Sequence, residues 1–306
     1  MKNELKTIIV PTDFQNPSID AIEYAADICG KINGNILLLH VLETRGIVDE
    51  FLNTGDNLVK ITEQAKDKLW SLGKSIRKKH PDIKIETRVE RGKPYQEILE
   101  VAEEIDPRMV IIGENHQGKE VQKHLGSTVY HVTLKSPAPV LTLKNHYNKM
   151  AQKIVVPLDL TREHKRKIYS AMAYAKNYDT EIHLVSALIG GIKMEESRIY
   201  KRLKEAHQTL IENNIKASCE LFGYSKETAP YQNVLKYAHD INADMILIMT
   251  HKEGFTYDNY IGAFAHHIIN QSDIPVLSLT SSASKVNINH FLKDFVDPAG
   301  IFKSKS

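Results

Sequence analysis

The chain contains two copies of one sequence pattern, and this repeat constrains the fold more than any other feature. The segment KTIIVPTDF (6–14) returns as QKIVVPLDL (152–160), at an offset of 146 residues. Further along, PYQEILEVAEEIDPRMVIIG (94–113) returns as PYQNVLKYAHDINADMILIM (230–249), at an offset of 136 residues. Agreement at two fixed offsets over separate segments is not expected by chance, so the sequence predicts a tandem duplication.

The offsets differ by one net deletion, which we assign to the loop after the second strand, because that loop is longer in the first copy. The polar segment NHYNKMAQ separates the copies. We therefore expect a first domain over residues 1–147, a second and more degenerate one over 148–281, and a C-terminal tail over 282–306. Apolar residues in that tail predict that it docks on a domain.

Short β-branched runs alternate with longer amphipathic stretches in each copy. Continuous apolar runs such as NILLLHV and MVIIG are typical of strands buried on both faces of a parallel sheet. Between them, NPSIDAIEYAADICGKI predicts a helix with Asn16 as its cap and Pro17 in its first turn. The pattern predicts an α/β fold with two tandem doubly wound, mainly parallel five-stranded sheets, in which ligands bind at the carboxyl ends of the strands.

The bulk composition excludes several classes of protein. The chain has 306 residues, of which 42% are hydrophobic and 25% charged, and its formal net charge is +2. Such a balance does not indicate binding to nucleic acid or to an anionic membrane. Two cysteines, Cys29 and Cys219, are expected to be reduced structural thiols. Since no signal peptide or membrane-spanning stretch is recognisable, we expect a cytoplasmic protein.

Candidate ligand-binding residues fall where the strands are predicted to end. Asp13 follows the first strand, where a carboxylate either accepts a hydrogen bond from a ligand or caps the next helix. Val41 ends the second strand, and its backbone is placed to meet a planar base. Gly113 ends the fourth strand, and the triplet 126–128 (Gly-Ser-Thr) opens the last helix. Amides at a helix N-terminus bind phosphate, but an ordinary serine cap gives the same letters, so both interpretations stay open.

Three histidines of the second copy do not form a metal site by sequence. His266 and His267 are adjacent and would point about 100° apart on a helix. His251 adds no ligand spacing typical of zinc. We interpret all three as surface or partner-facing residues.

The segments VPTDF, LLHV, GKPYQEILEVAEEIDPRMVIIG and LGSTVYHVTLKSPAPVLTL together resemble the universal stress protein family. The resemblance covers about residues 3–145 and, more loosely, 150–281. It implies an adenine nucleotide alpha hydrolase-like, Rossmann-like fold. It also implies that the two copies pair through their last strands as a pseudo-dimer, and whole chains are candidates for homo-oligomers.

Family members that bind ATP share a glycine motif, which reads Gly, two residues, Gly, nine residues, Gly, then Ser or Thr. The first copy matches three of these four positions, and His116 replaces the second glycine. The second copy matches one, because Met249, Lys252 and Ala263 occupy the others. The resemblance therefore implies ATP, with or without Mg²⁺, bound in the first domain at Pro11, Thr12, Asp13, Val41, Gly113, His116, Gly126, Ser127 and Thr128.

The sequence leaves two functions open. The first is a stress-response regulatory protein that binds an adenine nucleotide in its N-terminal domain. The alternative is a family member that binds no nucleotide and acts as a protein-interaction scaffold with unknown partners. No P-loop, nucleophile elbow or paired carboxylates occur, so we expect no enzyme, with slow ATP hydrolysis as the one activity left open.

Overall fold

The computed structural model describes residues 7–43, 55–114, 126–144, 150–158, 164–187, 197–223, 227–250 and 263–280. The chain divides into two compact units, Met1–Asn148 and Lys149–Ser306. His116 and the tail 282–306 lie outside the described residues.

The first unit is a parallel sheet covered by helices. Its strand order is β3-β2-β1-β4-β5, and neighbouring strands pair in parallel. Its strands are β1 (Thr7–Pro11), β2 (Asn35–Glu43), β3 (Lys84–Gly92), β4 (Met109–Glu114) and β5 (Val140–Lys144). Its described helices are α1 (Asn16–Ile32), α2 (Gly55–Lys79), α3 (Pro94–Ile105) and α4 (Ser127–Lys135).

The second unit repeats this arrangement. Its strand order is β10-β9-β6-β7-β8, again with parallel neighbours. Its strands are β6 (Lys153–Pro157), β7 (Glu181–Ala187), β8 (Ala217–Phe222), β9 (Met245–Thr250) and β10 (Val276–Thr280). Its described helices are α5 (His164–Tyr178), α6 (Arg198–Glu212), α7 (Pro230–Asp240) and α8 (Ala263–Gln271).

Burial explains why the central strands are apolar throughout. Ile8, Ile9 and Val10 of β1 are fully buried, since helices cover the sheet on both faces. The predicted fold class, two tandem doubly wound parallel sheets, is confirmed. The pairing of the two last strands with one another stays a prediction.

The start of α1 differs from the prediction. The residue before the helix is Gln15, in an extended conformation and without a side-chain capping bond, and Asn16 is already the first helical residue. Asn16 is therefore not the cap. Asp13, two residues further upstream, takes over part of the capping role, as described below.

Pro139 and Pro275 stand directly before β5 and β10, where a residue without an N–H costs no ladder hydrogen bond. Their carbonyl groups accept bonds from the amides of Val110 and Ile246. Both cysteines are free thiols, and burial raises the pKa of Cys29 to about 12. Across the described segments, no helix is both long and apolar enough to cross a membrane.

Candidate functional site

The turn between β1 and α1 is built on a directed chain of hydrogen bonds. The amide of Phe14 donates to Thr12 Oγ1 at 3.0 Å, and Thr12 Oγ1 lies 2.8 Å from Ser18 Oγ. Ser18 Oγ lies 2.9 Å from both Asp13 Oδ1 and the carbonyl oxygen of Gln15, so its single hydrogen is directed at these two acceptors. Because both of them only accept, Thr12 is the donor between the two hydroxyls. Thr12 and Ser18 are buried, so this chain fixes the shape of the turn.

Asp13 uses one carboxylate oxygen for the turn. Oδ1 accepts from Ser18 Oγ and from the amide of Gln15 at 3.0 Å. The side chain is exposed, and its other oxygen, Oδ2, has no hydrogen-bond partner among the described residues. The two interpretations left open by the sequence are thus compatible, since one oxygen serves the helix start and the other faces solvent at the end of β1.

His40 fastens the end of β2 to the same turn. Its Nδ1 lies 2.8 Å from the carbonyl oxygen of Thr12, and a carbonyl only accepts, so Nδ1 carries the hydrogen. The second copy repeats this contact with a different residue, because Ser186 Oγ donates to the carbonyl of Leu158 at 2.7 Å. The bond therefore belongs to the fold and is independent of the side chain that makes it.

Phe14 holds a strained backbone conformation at this position. Its φ is 66°, a left-handed value that is rare for a bulky residue. The centroid of its ring lies 4.4 Å from the centroid of the His40 ring. Lys68 Nζ lies 5.4 Å from the same Phe14 centroid. Such strain is typical of ligand-binding turns, where surrounding contacts maintain it.

Gly113 is required by packing within the fold. A Cβ at this position would overlap the carbonyl group of Pro17 and lie 2.7 Å from the amide nitrogen of Ser18. The first turn of α1 therefore rests directly on β4. This close approach accounts for the glycine without any ligand.

Gly126 shows the opposite behaviour. A Cβ there would meet no atom of the described residues within 4 Å, and its φ of −55° is open to any residue. It precedes α4 without a side-chain capping bond, and Gly126 and Ser127 are both exposed. The first amides of α4, at residues 127–129, have no hydrogen-bond partner within the described part of the chain. They are available to an anion.

The described candidates gather at one edge of the first sheet. β1 pairs with β2 on one side and β4 on the other, so the carboxyl ends of all three strands lie together. The chain continues from β1 to β2 on one side and from β4 to β5 on the other, so the strand order reverses between β1 and β4, which makes this place a topological switch point. The edge carries Pro11, Thr12, Asp13, Val41 and Gly113, and α4 begins at the same edge with Gly126, Ser127 and Thr128.

An ion pair at this edge was missed by the sequence reasoning. Glu114 and Lys144 end β4 and β5, are register partners and form a salt bridge. Lys144 is 1% exposed and Glu114 is 9% exposed. A signal was present, because each charged residue directly follows an apolar strand in the sequence.

The corresponding edge of the second unit is chemically different. Leu158 replaces Thr12, so the hydroxyl chain of the first unit cannot form there. Met249 occupies the repeat position that corresponds to Gly113, and its side chain is buried. Lys167 is also buried, and its ammonium donates to the carbonyl of Pro157 at 3.2 Å. The replacements of Thr12 and Gly113 each remove a feature of the first site.

Comparisons with known proteins agree with this architecture. A universal stress protein of Methanocaldococcus jannaschii is 29% identical over 157 residues, which cover 45% of this chain and 94% of that protein. The crystal structure of a universal stress protein from Archaeoglobus fulgidus has a TM-score of 0.75 at 20% identity, with 90% of this chain and 98% of that chain covered. That likeness shows the fold alone.

A further universal stress protein has been solved in complex with cAMP; it is 17% identical, with 44% of this chain and all of that chain covered and a TM-score of 0.37. The sequence pattern of the universal stress protein family matches twice, over residues 4–144 and 150–279. The two matches span most of the chain and correspond to the two copies of the repeat. The chain belongs to the universal stress protein family, as a tandem member with two family domains.

Proposed function

We propose that the first unit binds an adenine nucleotide, with ATP as the main candidate, alone or with Mg²⁺, and that the chain is a nucleotide-responsive stress regulator. The observation that carries this proposal is the N-terminus of α4. Its first amides have no side-chain cap, Gly126 and Ser127 are exposed, and a Cβ at Gly126 meets none of the described residues within 4 Å. Such a helix start donates hydrogen bonds to phosphate and adds the favourable end of the helix dipole.

The turn after β1 supports the same proposal from the other side of the crevice. Asp13 offers Oδ2 as a free acceptor for the ribose or base of the ligand. Val41, near the end of β2, is half-buried, which is compatible with a backbone contact to the base. The residues present therefore fit a nucleotide whose phosphates lie at α4 and whose nucleoside lies at β1 and β2.

The test is isothermal titration of the full chain with ATP, ADP, AMP and cAMP, with and without Mg²⁺. Gly126→Asp is the informative variant, because a Cβ at this position meets none of the described residues within 4 Å. Its carboxylate would cap the α4 amides and repel phosphate, so binding should be lost while the fold is retained. Thermal unfolding without ligand checks that retention.

Gly262→Asp is the matched control, since Gly262 holds the same place in the second copy. It should leave nucleotide binding unchanged. Equal losses from both variants would contradict the assignment to the first unit. Absence of binding by any of the four nucleotides to the wild-type chain would favour the scaffold alternative.

A further inference from the structure

A hydrogen-bonded cluster lies in the second unit, away from the crevice. His183 on β7 and Ser218 on β8 are register partners, and the serine Oγ is 2.8 Å from His183 Nδ1. The hydroxyl of Tyr237, on α7, lies 3.2 Å from the same nitrogen. The carboxylate of Glu181 is 3.3 Å from Nε2, which makes no hydrogen bond of acceptable geometry.

Among the described residues of the first unit, apolar side chains occupy two of the corresponding positions. In the repeat alignment, His183 corresponds to Leu37 and Tyr237 corresponds to Val101. Leu37 and Val101 are both buried apolar residues. The second unit has therefore exchanged an apolar contact between helix and sheet for a polar one. An imidazole that is only 8% exposed is costly to keep unless its hydrogen bonds serve a purpose.

The two hydroxyl groups converge on a neutral ring. Ser218 Oγ and the Tyr237 hydroxyl both lie within hydrogen-bond distance of His183 Nδ1, at 2.8 and 3.2 Å. With the hydrogen of His183 on Nε2, facing Glu181, the Nδ1 lone pair is the acceptor for these hydroxyls. If Nδ1 becomes protonated, it can only donate, and both hydroxyls lose that acceptor.

Electrostatics acts in the same direction. Desolvation lowers the pKa of His183, Lys153 lowers it further, and Glu181 raises it. Burial also raises the pKa of Tyr237, opposed by the nearby Ser218 hydroxyl and helped by the carboxylates of Glu220 and Glu181. The neutral ring and the neutral phenol are therefore the native forms at neutral pH. The depth of the ring beneath α7 favours a proton-linked role over a nucleophilic one.

We propose that the cluster of His183, Ser218 and Tyr237 is an acid-sensitive lock that fastens α7 to β7 and β8 while the ring is neutral and releases it on protonation. Helix α7 connects β8 to β9 along the chain. Tyr237 lies in its later turns, whereas Tyr231, in its first turn, stacks on His267 of α8 at 4.3 Å. Release of α7 thus disturbs the helix that corresponds to α4 of the first unit.

The sign of the pH effect follows from linkage. The unfolded or released state binds a proton at an ordinary histidine pKa of about 6.5, whereas the locked state has a lower pKa. The lock is therefore at full strength above about pH 6.5 and weakens as the pH falls from there toward the lowered value.

Hydrogen exchange of the full chain, at about pH 7.5 and about pH 5.5 with correction for intrinsic rates, tests this proposal. Residues 217–222 and 230–240 should lose protection several-fold at the acid pH. Residues 101–105, the later turns of the equivalent helix of the first unit, should not, because Leu37 and Val101 do not titrate. The first turn of that helix is left out of the comparison, because Tyr95 stacks on His131, whose pKa is also lowered by desolvation. Equal changes in both helices would overturn the proposal.

Three variants separate the lock from general acid sensitivity. His183→Leu should abolish the pH dependence of residues 230–240, whereas His239→Gln, at an exposed histidine of the same helix, should leave it intact. Tyr237→Phe keeps the aromatic ring at position 237 and removes only the hydroxyl that approaches His183. The pKa of His183, measured by NMR, should therefore rise toward its ordinary value. An unchanged pKa in Tyr237→Phe, or acid release that persists in His183→Leu, would contradict the proposal.

Discussion

Asp13 joins two functions in one carboxylate, because Oδ1 is used by the turn and Oδ2 is not. Asp13→Asn keeps an oxygen that can accept the two turn bonds but removes the charge. We expect the stability of the first unit to change by less than about 0.5 kcal/mol, while nucleotide affinity falls. Asp13→Ala removes both functions. It should lower the stability of the first unit by about 1 kcal/mol and should also lower the affinity for nucleotide.

The single tryptophan, Trp70 on α2, makes this measurement specific to the first unit. Urea unfolding followed by its fluorescence gives the stability, and titration calorimetry gives the affinity. Equal affinities of Asp13→Asn and the wild type would show that Oδ2 does not contact the ligand.

Two glycines of one motif should respond differently to the same substitution. Gly113→Ala forces a methyl group into the backbone of α1 and should destabilise the first unit by about 1–3 kcal/mol. Gly126→Ala meets no neighbour and should leave stability within about 0.5 kcal/mol of the wild type. The Trp70 transition in urea distinguishes the two results, and a stable Gly113→Ala protein would contradict the close approach of α1 to β4.

At the scale of elements, the last residues of β4 and β5 carry opposite charges. The last residues of the equivalent strands of the second unit, β9 and β10, carry hydroxyl groups. Lys144→Met would leave Glu114 buried without its cation and should destabilise the first unit by about 3–5 kcal/mol. The double variant Glu114→Thr with Lys144→Thr copies Thr250 and Thr280 of the second unit, which are register partners. It should lose much less than the single variant.

Urea unfolding followed by Trp70 again provides the measurement. If the double variant is as unstable as Lys144→Met, the cost arises from lost packing and not from the unpaired carboxylate.

Strands and helices followed from the sequence because their signals are local. Apolar runs such as TIIV and MVIIG have no polar position to expose, and prolines mark the starts of α3 and α7. The cap of α1 did not follow. The spacing favoured Asn16, but the hydroxyls of Thr12 and Ser18 build a turn that ends with Gln15 before the helix.

The site was predictable as a set of positions but not as a set of roles. Gly113 reads as part of a phosphate loop, and only the structure shows that α1 occupies the space beside it. The His183 cluster was also not predicted from the sequence. Alignment of the two copies would have shown that a histidine occupies the position of Leu37. A polar residue that replaces an apolar one at a repeat position is the signal that was available.

At the scale of the whole molecule, the two units are unequal in their crevices. The second unit has Met249 in place of Gly113, Leu158 in place of Thr12, and the buried ammonium of Lys167 bonded at the end of β6. We therefore expect roughly one nucleotide to bind per chain, and stabilisation by ligand to be confined to the first unit.

Titration calorimetry measures the number of nucleotides bound per chain. If ligand stabilises only the first unit, ATP should raise the urea midpoint that Trp70 fluorescence reports. ATP should then leave the hydrogen-exchange protection of residues 230–240 unchanged. Two equivalents of nucleotide per chain would show that the second crevice is competent.

The contact between Gly113 and Pro17 has a consequence for how such a duplicated gene diverges. In the first unit, selection for a folded domain maintains Gly113, whether or not the protein binds anything. Gly126 has no such protection, because a Cβ there meets no atom of the described residues within 4 Å. Loss of ligand binding by substitution of Gly126 is therefore one mutation away and silent to every cellular check on protein quality.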